Sequence, residues 1–179
     1  MSGQNTEHKY PQRLGNNMII IAWILALALL TWFFSRYLTH QHNPNENTLN
    51  YSRSDHPQVV LKRNQEGHYV ASGRINGYPV TFMLDTGATD ISIPERLADR
   101  LSLHKGPQLM VSTANGNIPV YSTVLDEVQL GGIVLNRVNA NINPYMTDDD
   151  ILLGMSFLKQ LDFSQAGDRL TLRQTVHPN

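Results

Sequence analysis

The chain has 179 residues, with 14 Lys+Arg against 15 Asp+Glu and a formal net charge of −1 at pH 7. That balance leaves no broad basic surface, so nucleic acid is not an expected partner. The chain has no cysteine, which excludes disulfides, thiolate catalysis and Cys-zinc sites.

In chain order, residues 1–17 form a polar N-terminal tail. Met18 to Phe34, "MIIIAWILALALLTWFF", is an uncharged apolar run of 17 residues. It predicts a transmembrane helix over residues 18–38, with Trp32, Phe33, Phe34 and Tyr37 crowding its far end like an interfacial belt. A cleaved signal peptide is the competing reading. The run is long for the hydrophobic region of a signal peptide, however, and "SRYLTHQ" after it has no small-x-small cleavage site, which favours a retained anchor. Lys9 and Arg13 precede the run and Arg36 follows it, a bias that puts the N-terminus in the cytoplasm and the rest of the chain outside, in a Gram-negative cell the periplasm.

Residues 39–57 are polar, Asn-rich and aperiodic, and read as a flexible linker. A domain follows over residues 58–175. "HYVASGRI" and "YPVTFML" flank Asn76-Gly77, a hairpin signal. "DISI" is a short strand. "PERLADRL" is a short helix with Pro94 at its first position. "LMVST" and "IPVYSTVLDEVQL" form a second hairpin around "ANGN", Ala114 to Asn117. Gly131-Gly132 turns the chain into "IVLNRVNANI", in which Val134, Asn136, Val138 and Ala140 alternate with Leu135 and Arg137. "TDDD" at 147–150 reads as a solvated acidic loop, "ILL" as a buried strand, "MSFLKQL" as one or two helical turns, and "FSQAGDRLTL" as a closing hairpin. About seven or eight short strands and two short helices make an all-β, barrel-like domain.

Within it, "TFMLDTGATDISIP" (Thr81 to Pro94) sets an acid, a hydroxyl and a glycine directly after a strand. Asp is depleted in strands, and a carboxylate beside buried residues is costly. Asp-Thr-Gly is turn chemistry, so a plain turn is one reading. The surrounding elements support a second. "FMLDTGAT", the helix "ERLADRLSL", the hairpin "STANGNIP" and "ILLGMSFL" occur in an order that resembles the retropepsin-like aspartic proteases, most closely the bacterial, membrane-anchored, single-domain kind. The resemblance covers roughly residues 60–173.

The resemblance implies a retropepsin-like acid protease barrel preceded by one transmembrane helix. It implies that Asp85 is the catalytic carboxylate. Thr86 would bond across a dimer, and Gly87 would let the loop turn and offer its N–H to the carboxylate. Thr113, Ala114, Asn115, Gly116 and Asn117 would form the flap over the substrate. Leu152, Leu153 and Gly154 would pack beneath the acid loop. Thr89 and Met155-Ser156 depart from the viral pattern, whose Asp, Arg and Asn brace the dimer by ion pairs. The chain carries a single Asp-[Ser/Thr]-Gly, so a second carboxylate has to come from a second chain about a two-fold axis. The expected partners are a peptide or protein substrate, a second copy of the chain and the membrane. No cofactor is expected, and no metal, because His68 and His104 have no i, i+4 companion. A non-catalytic peptide- or partner-binding module with the same fold is the alternative.

Overall fold

The computed structural model describes residues 12–50, 57–113 and 116–174. The chain divides into two units, residues 1–39 and 40–179. Helix α1 (Gln12–His42) begins in the first and ends at the start of the second. Its large apolar side chains from Met18 to Leu38 are exposed. The stretch Asn17–His42, with mean hydropathy 2.4, is long and apolar enough to cross a membrane. The helix outruns the expected 18–38 because nothing breaks it before Pro44, which pushes the residue ahead of it out of helical geometry.

The second unit is built from β1 (Gln58–Lys62), β2 (Val70–Ile75), β3 (Tyr78–Leu84), β4 (Ile91–Pro94), α2 (Glu95–Arg100), β5 (Gln108–Thr113), β6 (Gly116–Leu130), β7 (Ile133–Asn143), β8 (Ile151–Leu153), α3 (Met155–Leu158), β9 (Leu161–Ala166) and β10 (Arg169–Gln174). Seven strands run in the order β2-β3-β8-β4-β7-β6-β5, and an added β2–β6 pairing closes them into a barrel. The remaining three form a small sheet, β1-β10-β9. Phe82, Ile91, Ile93, Leu125, Leu130, Ile142, Ile151, Leu153 and Phe157 fill the core with essentially no exposure. The predicted all-β class is observed, with ten strands against the seven or eight expected among the described residues.

Turn chemistry matches sequence closely in the first hairpin. Asn76 (φ 49°) and Gly77 (φ 83°) are both left-handed, as a two-residue turn between right-twisted strands requires. Pro94 is the residue before α2 rather than its first residue. The next hairpin, β6–β7, turning at Gly131-Gly132, departs from simple alternation. Val128, Leu130, Ile133 and Leu135 are buried near its turn, whereas Thr123, Leu125, Val138 and Ala140 are buried further along. The change of face falls where Asp126 and Arg137 drop out of the ladder and Arg137 takes φ 53°.

The segment expected to be a flexible linker is partly bonded onto the sheet. Residues 51–56 lie outside the described residues, but Asn43, Asn45 and Thr48 are buried. Asn45 acts as a substitute strand rung. Its Nδ2 donates to the carbonyls of Lys62 (2.9 Å) and Val70 (2.7 Å), and its Oδ1 accepts the Lys62 N–H (2.8 Å). The Thr48 hydroxyl donates to the Ser72 carbonyl, and Asn43 Nδ2 donates to Ser72 Oγ at 3.0 Å. Asn64 Nδ2 donates to the His42 carbonyl at 3.1 Å, and His42 Nε2 lies 2.7 Å from Asp150 Oδ2. A polar, Asn-rich composition reads as a linker, yet here the amides satisfy backbone groups between β1 and β2. Asn45→Ala leaves three such groups without this partner and is expected to cost about 3 kcal/mol, a fall in Tm of about 10 °C. A fragment starting at residue 57 lacks the whole clasp and should melt below one starting at residue 40. Equal melting of the two fragments in a thermal scan would show that the clasp contributes nothing.

Candidate active site

Strand β3 runs to Leu84 beside β8 in parallel register, Phe82 opposite Ile151 and Leu84 opposite Leu153. Val80, Phe82, Ile151 and Leu153 are buried while Met83 and Leu84 are half-buried, so the chain leaves the core as β3 ends. Asp85 does so while its N–H still donates to the Leu153 carbonyl at 3.2 Å. Its side chain is half-buried. One oxygen, Oδ1, accepts the Gly87 N–H at 2.8 Å, and the Ala88 N–H closes the turn onto the Asp85 carbonyl at 3.3 Å. An N–H aimed at a carboxylate oxygen fixes the direction of the side chain. Thr86 and Gly87 are exposed on this chain.

The loop is held from beneath by the start of α3. The Met155 and Ser156 N–H groups donate to the carbonyls of Ala88 and Thr89, both at 2.8 Å. Ser156 Oγ accepts the Ile91 N–H at 3.1 Å and donates to the Asn139 carbonyl at 2.8 Å. One buried hydroxyl thus ties together the acid loop's exit, β7 and α3. The positions that depart from the viral pattern, Thr89 and Met155-Ser156, brace the loop within the chain by backbone bonds and this hydroxyl. Sequence reasoning noted the departure and missed the role. A serine two residues after the glycine of "ILLG" was the available signal, but its partners are distant in the chain.

The hairpin β5–β6 lies at the edge of the seven-stranded sheet, since among the described residues β5 pairs only with β6. Thr113 opposes Gly116 in the ladder, and Thr113 Oγ1 donates to the Gly116 carbonyl at 2.8 Å. Thr113, Gly116 and Asn117 are exposed, and Gly116 has φ 111°. Ala114 and Asn115 lie outside the described residues. The structure therefore groups Asp85, Gly87 and residues 154–156 into one assembly and places residues 113, 116 and 117 on the edge hairpin. The acidic loop at 147–150 is held by ion pairs of Asp149 with Arg96 (3.1 Å) and Arg100 (3.5 Å), and by the hydrogen-bond contact of Asp150 with His42.

This arrangement has counterparts in known proteins. The profile of the family described as "gag-polyprotein putative aspartyl protease" matches residues 71–160, half of the chain. A crystal structure of a retropepsin-like aspartic protease from Rickettsia conorii superposes with a TM-score of 0.55 at 26% identity, covering 69% of this chain and 96% of that one. An uncharacterized protein from the cobV 5' region of a Sinorhizobium species is 31% identical over 120 residues, 65% of this chain and 52% of its own length. An uncharacterized protein of Rickettsia prowazekii is 27% identical over 106 residues, 58% of this chain and 45% of its own. The chain thus spans about half the length of the curated relatives it matches.

Proposed function

Because the chain belongs to the gag-polyprotein aspartyl protease family and has the retropepsin-like fold, we propose that it is a membrane-anchored endopeptidase whose active site forms between two copies. The observation that carries this reading is the single Asp85 carboxylate, oriented by the Gly87 N–H at the end of β3 in a loop clamped from below. Amide hydrolysis needs a positioned water, a base to take its proton and an acid for the leaving nitrogen. Two carboxylates about 3 Å apart cannot both ionise, so they hold one proton between them and supply both functions. In this reading the ionised Asp85 takes the water's proton as oxygen attacks the scissile carbonyl, and the protonated Asp85 of the second chain hydrogen-bonds the developing oxyanion. The amide nitrogen is then protonated and the C–N bond breaks. Thr86, exposed in one chain, meets its counterpart across the two-fold axis. The substrate lies extended between acid loops and flaps, bonded as an added strand.

Helix α1 holds the domain at the inner membrane, with the catalytic unit on the periplasmic side by the charge bias around the span. Confinement to a surface raises the effective concentration of each chain for its partner. The test is cleavage of a mixed peptide set by the full chain in detergent, with Asp85→Asn as control. Wild type that binds peptides without cutting any would make the chain a binding module instead.

Flap closure gives a second expected result. Gly116 at φ 111° adopts a backbone that a β-branched residue resists. An exposed hairpin end also carries little of the domain's stability. Gly116→Val is expected to lower turnover about tenfold while moving Tm by only a few degrees. Unchanged kinetics would show that this hairpin is not the flap.

A further inference from the structure

Beyond Asp85 the same loop presents a second acid, Asp90, immediately before β4. It lines a cavity of about 510 Å³, together with His104, Leu109, Thr123, Val124 and Ala140. The acid loop and the edge hairpin both contribute to the wall, with β7 and the segment between α2 and β5 completing it. Asp90 belongs to the acid loop, and Leu109, Thr123 and Val124 belong to the two strands of the edge hairpin. A peptide lying extended between loop and hairpin passes this cavity and turns every second side chain to one side.

The chemistry of the cavity selects among side chains. Asp90 is half-buried, and among the described residues its carboxylate has neither an ion pair nor a hydrogen bond. The cations nearest along the chain are committed elsewhere. Arg96 and Arg100 pair with Asp149. Lys105, next to the lining residue His104, is committed too. Its Nζ lies 2.9 Å from Glu95 Oε1 and 3.4 Å from Asp99 Oδ1, and the Glu95 hydrogen bond raises its pKa. His104 is the other ionisable lining group, and it is exposed. A partly desolvated carboxylate without a counter-charge is unfavourable, and an incoming cation relieves it. Leu109, Val124 and Ala140 offer apolar surface for an aliphatic stem. Lys and Arg combine such a stem with a charged head. The volume lies within the range of ordinary ligand pockets and well exceeds one side chain.

We propose that this cavity is a specificity subsite that takes a basic side chain of the bound peptide, with Asp90 as its counter-charge. The proposal rests on the peptidase reading above and adds a substrate class to it: peptides carrying Lys or Arg close to the scissile bond.

The experiment uses the full chain in detergent and three peptide sets, identical except that Lys, norleucine or Glu is scanned through the positions flanking the cleaved bond. Norleucine keeps the lysine stem and lacks the charge. At one position at least, Lys is expected to exceed norleucine about tenfold in kcat/KM, a ratio equivalent to about 1.4 kcal/mol, with Glu poorest. In Asp90→Asn that ratio should fall to about one, and in Asp90→Lys Glu should overtake Lys. Each ratio is taken within one preparation, so loss of folded protein does not mimic the effect. A second arm measures binding of the same peptides to Asp85→Asn chains by fluorescence anisotropy, where the Lys preference should persist. Absence of cleavage by wild type would defeat the peptidase reading and leave the binding arm to decide the subsite. Equal binding of Lys and norleucine peptides at every position, or a preference that survives in Asp90→Asn, would overturn the subsite whether or not the chain cleaves.

Discussion

Asp85→Asn is expected to lower peptide cleavage by about a thousandfold or more, and, when mixed in excess with wild-type chains, to suppress their activity as well. The first effect follows from chemistry: an amide cannot take a proton from water at neutral or acid pH. The second follows from counting. Each chain supplies one Asp-Thr-Gly loop, so in the proposed two-chain site a monomer would hold half an active site and a mixed dimer would pair one carboxylate with one amide. Such a pair cannot share a proton in the way the mechanism needs. With nine mutant chains to each wild-type chain and free exchange, about one wild-type chain in ten finds a wild-type partner, so activity per wild-type chain drops about tenfold. Dilution should act in the same direction, since specific activity falls as chains part, and more steeply in detergent than in vesicles that confine them. Activity per wild-type chain that stays constant at every dilution and every mutant ratio would make the two-chain site wrong.

The suppression test matters because the bracing seen within one chain does not depend on a partner. Ser156, the Ala88 and Thr89 carbonyls and the Leu153 carbonyl hold the acid loop in place in a single copy. A loop that is ordered alone needs less from its partner than one that is ordered only on pairing. In the proposed dimer, pairing would be left with the task of bringing two ordered carboxylates together, and Thr86, exposed on the chain, is the residue proposed to serve it.

How much of this was legible in the sequence depends on the range of the interaction. Local chemistry was legible. Asn76-Gly77 announces its turn because both residues tolerate positive φ, and the acid after "TFML" announces a loop because a strand rejects it. Ordered motifs were legible too, since "FMLDTGAT" and "ILLGMSFL" each carry a recognisable pattern, and the structure pairs them as β3 and β8. Long-range polar contacts were not. Asn45 bonds Lys62 and Val70, and Ser156 bonds Ile91 and Asn139; a lone Asn in an Asn-rich stretch, or a Ser in a short helix, looks the same with or without such partners. The change of face at Asp126 and Arg137 was hidden for a related reason. Simple alternation presumes an unbroken ladder, and a break at one pair exchanges the buried and exposed faces beyond it. Asp90 was visible as a residue, but its cavity depends on two strands of a hairpin that begins many residues later.

Gly154→Ala is the substitution expected to do the most damage for its size. Gly154 has φ −86° and ψ −170°, a backbone that any residue adopts, so the glycine is not there for conformational freedom. It is there for space. A Cβ at this position would fall inside the contact distance of the Asp90 carbonyl oxygen and 2.7 Å from the Ala88 carbonyl oxygen. Both obstacles are backbone atoms, and no rotamer change relieves them. Moving the 154–156 segment away stretches the Met155 and Ser156 N–H bonds to the acid loop. Moving the loop instead displaces Asp85 and Asp90 together. Overpacking against fixed atoms costs typically 1–3 kcal/mol, so a fall in Tm of up to about 10 °C is expected. Activity measured well below that Tm should fall further, about a hundredfold, because a catalytic group displaced by about 1 Å loses that much rate. Gly167→Ala is the control. Gly167 sits in the β9–β10 turn at φ 60° with open space around its Cα, so the substitution adds backbone strain of about 1–2 kcal/mol far along the chain from the acid loop. Comparable Tm losses in the two variants with cleavage lost only in Gly154→Ala would place the damage in the loop. Full activity in Gly154→Ala at wild-type stability would mean that residues 154–156 do not hold Asp85 in position.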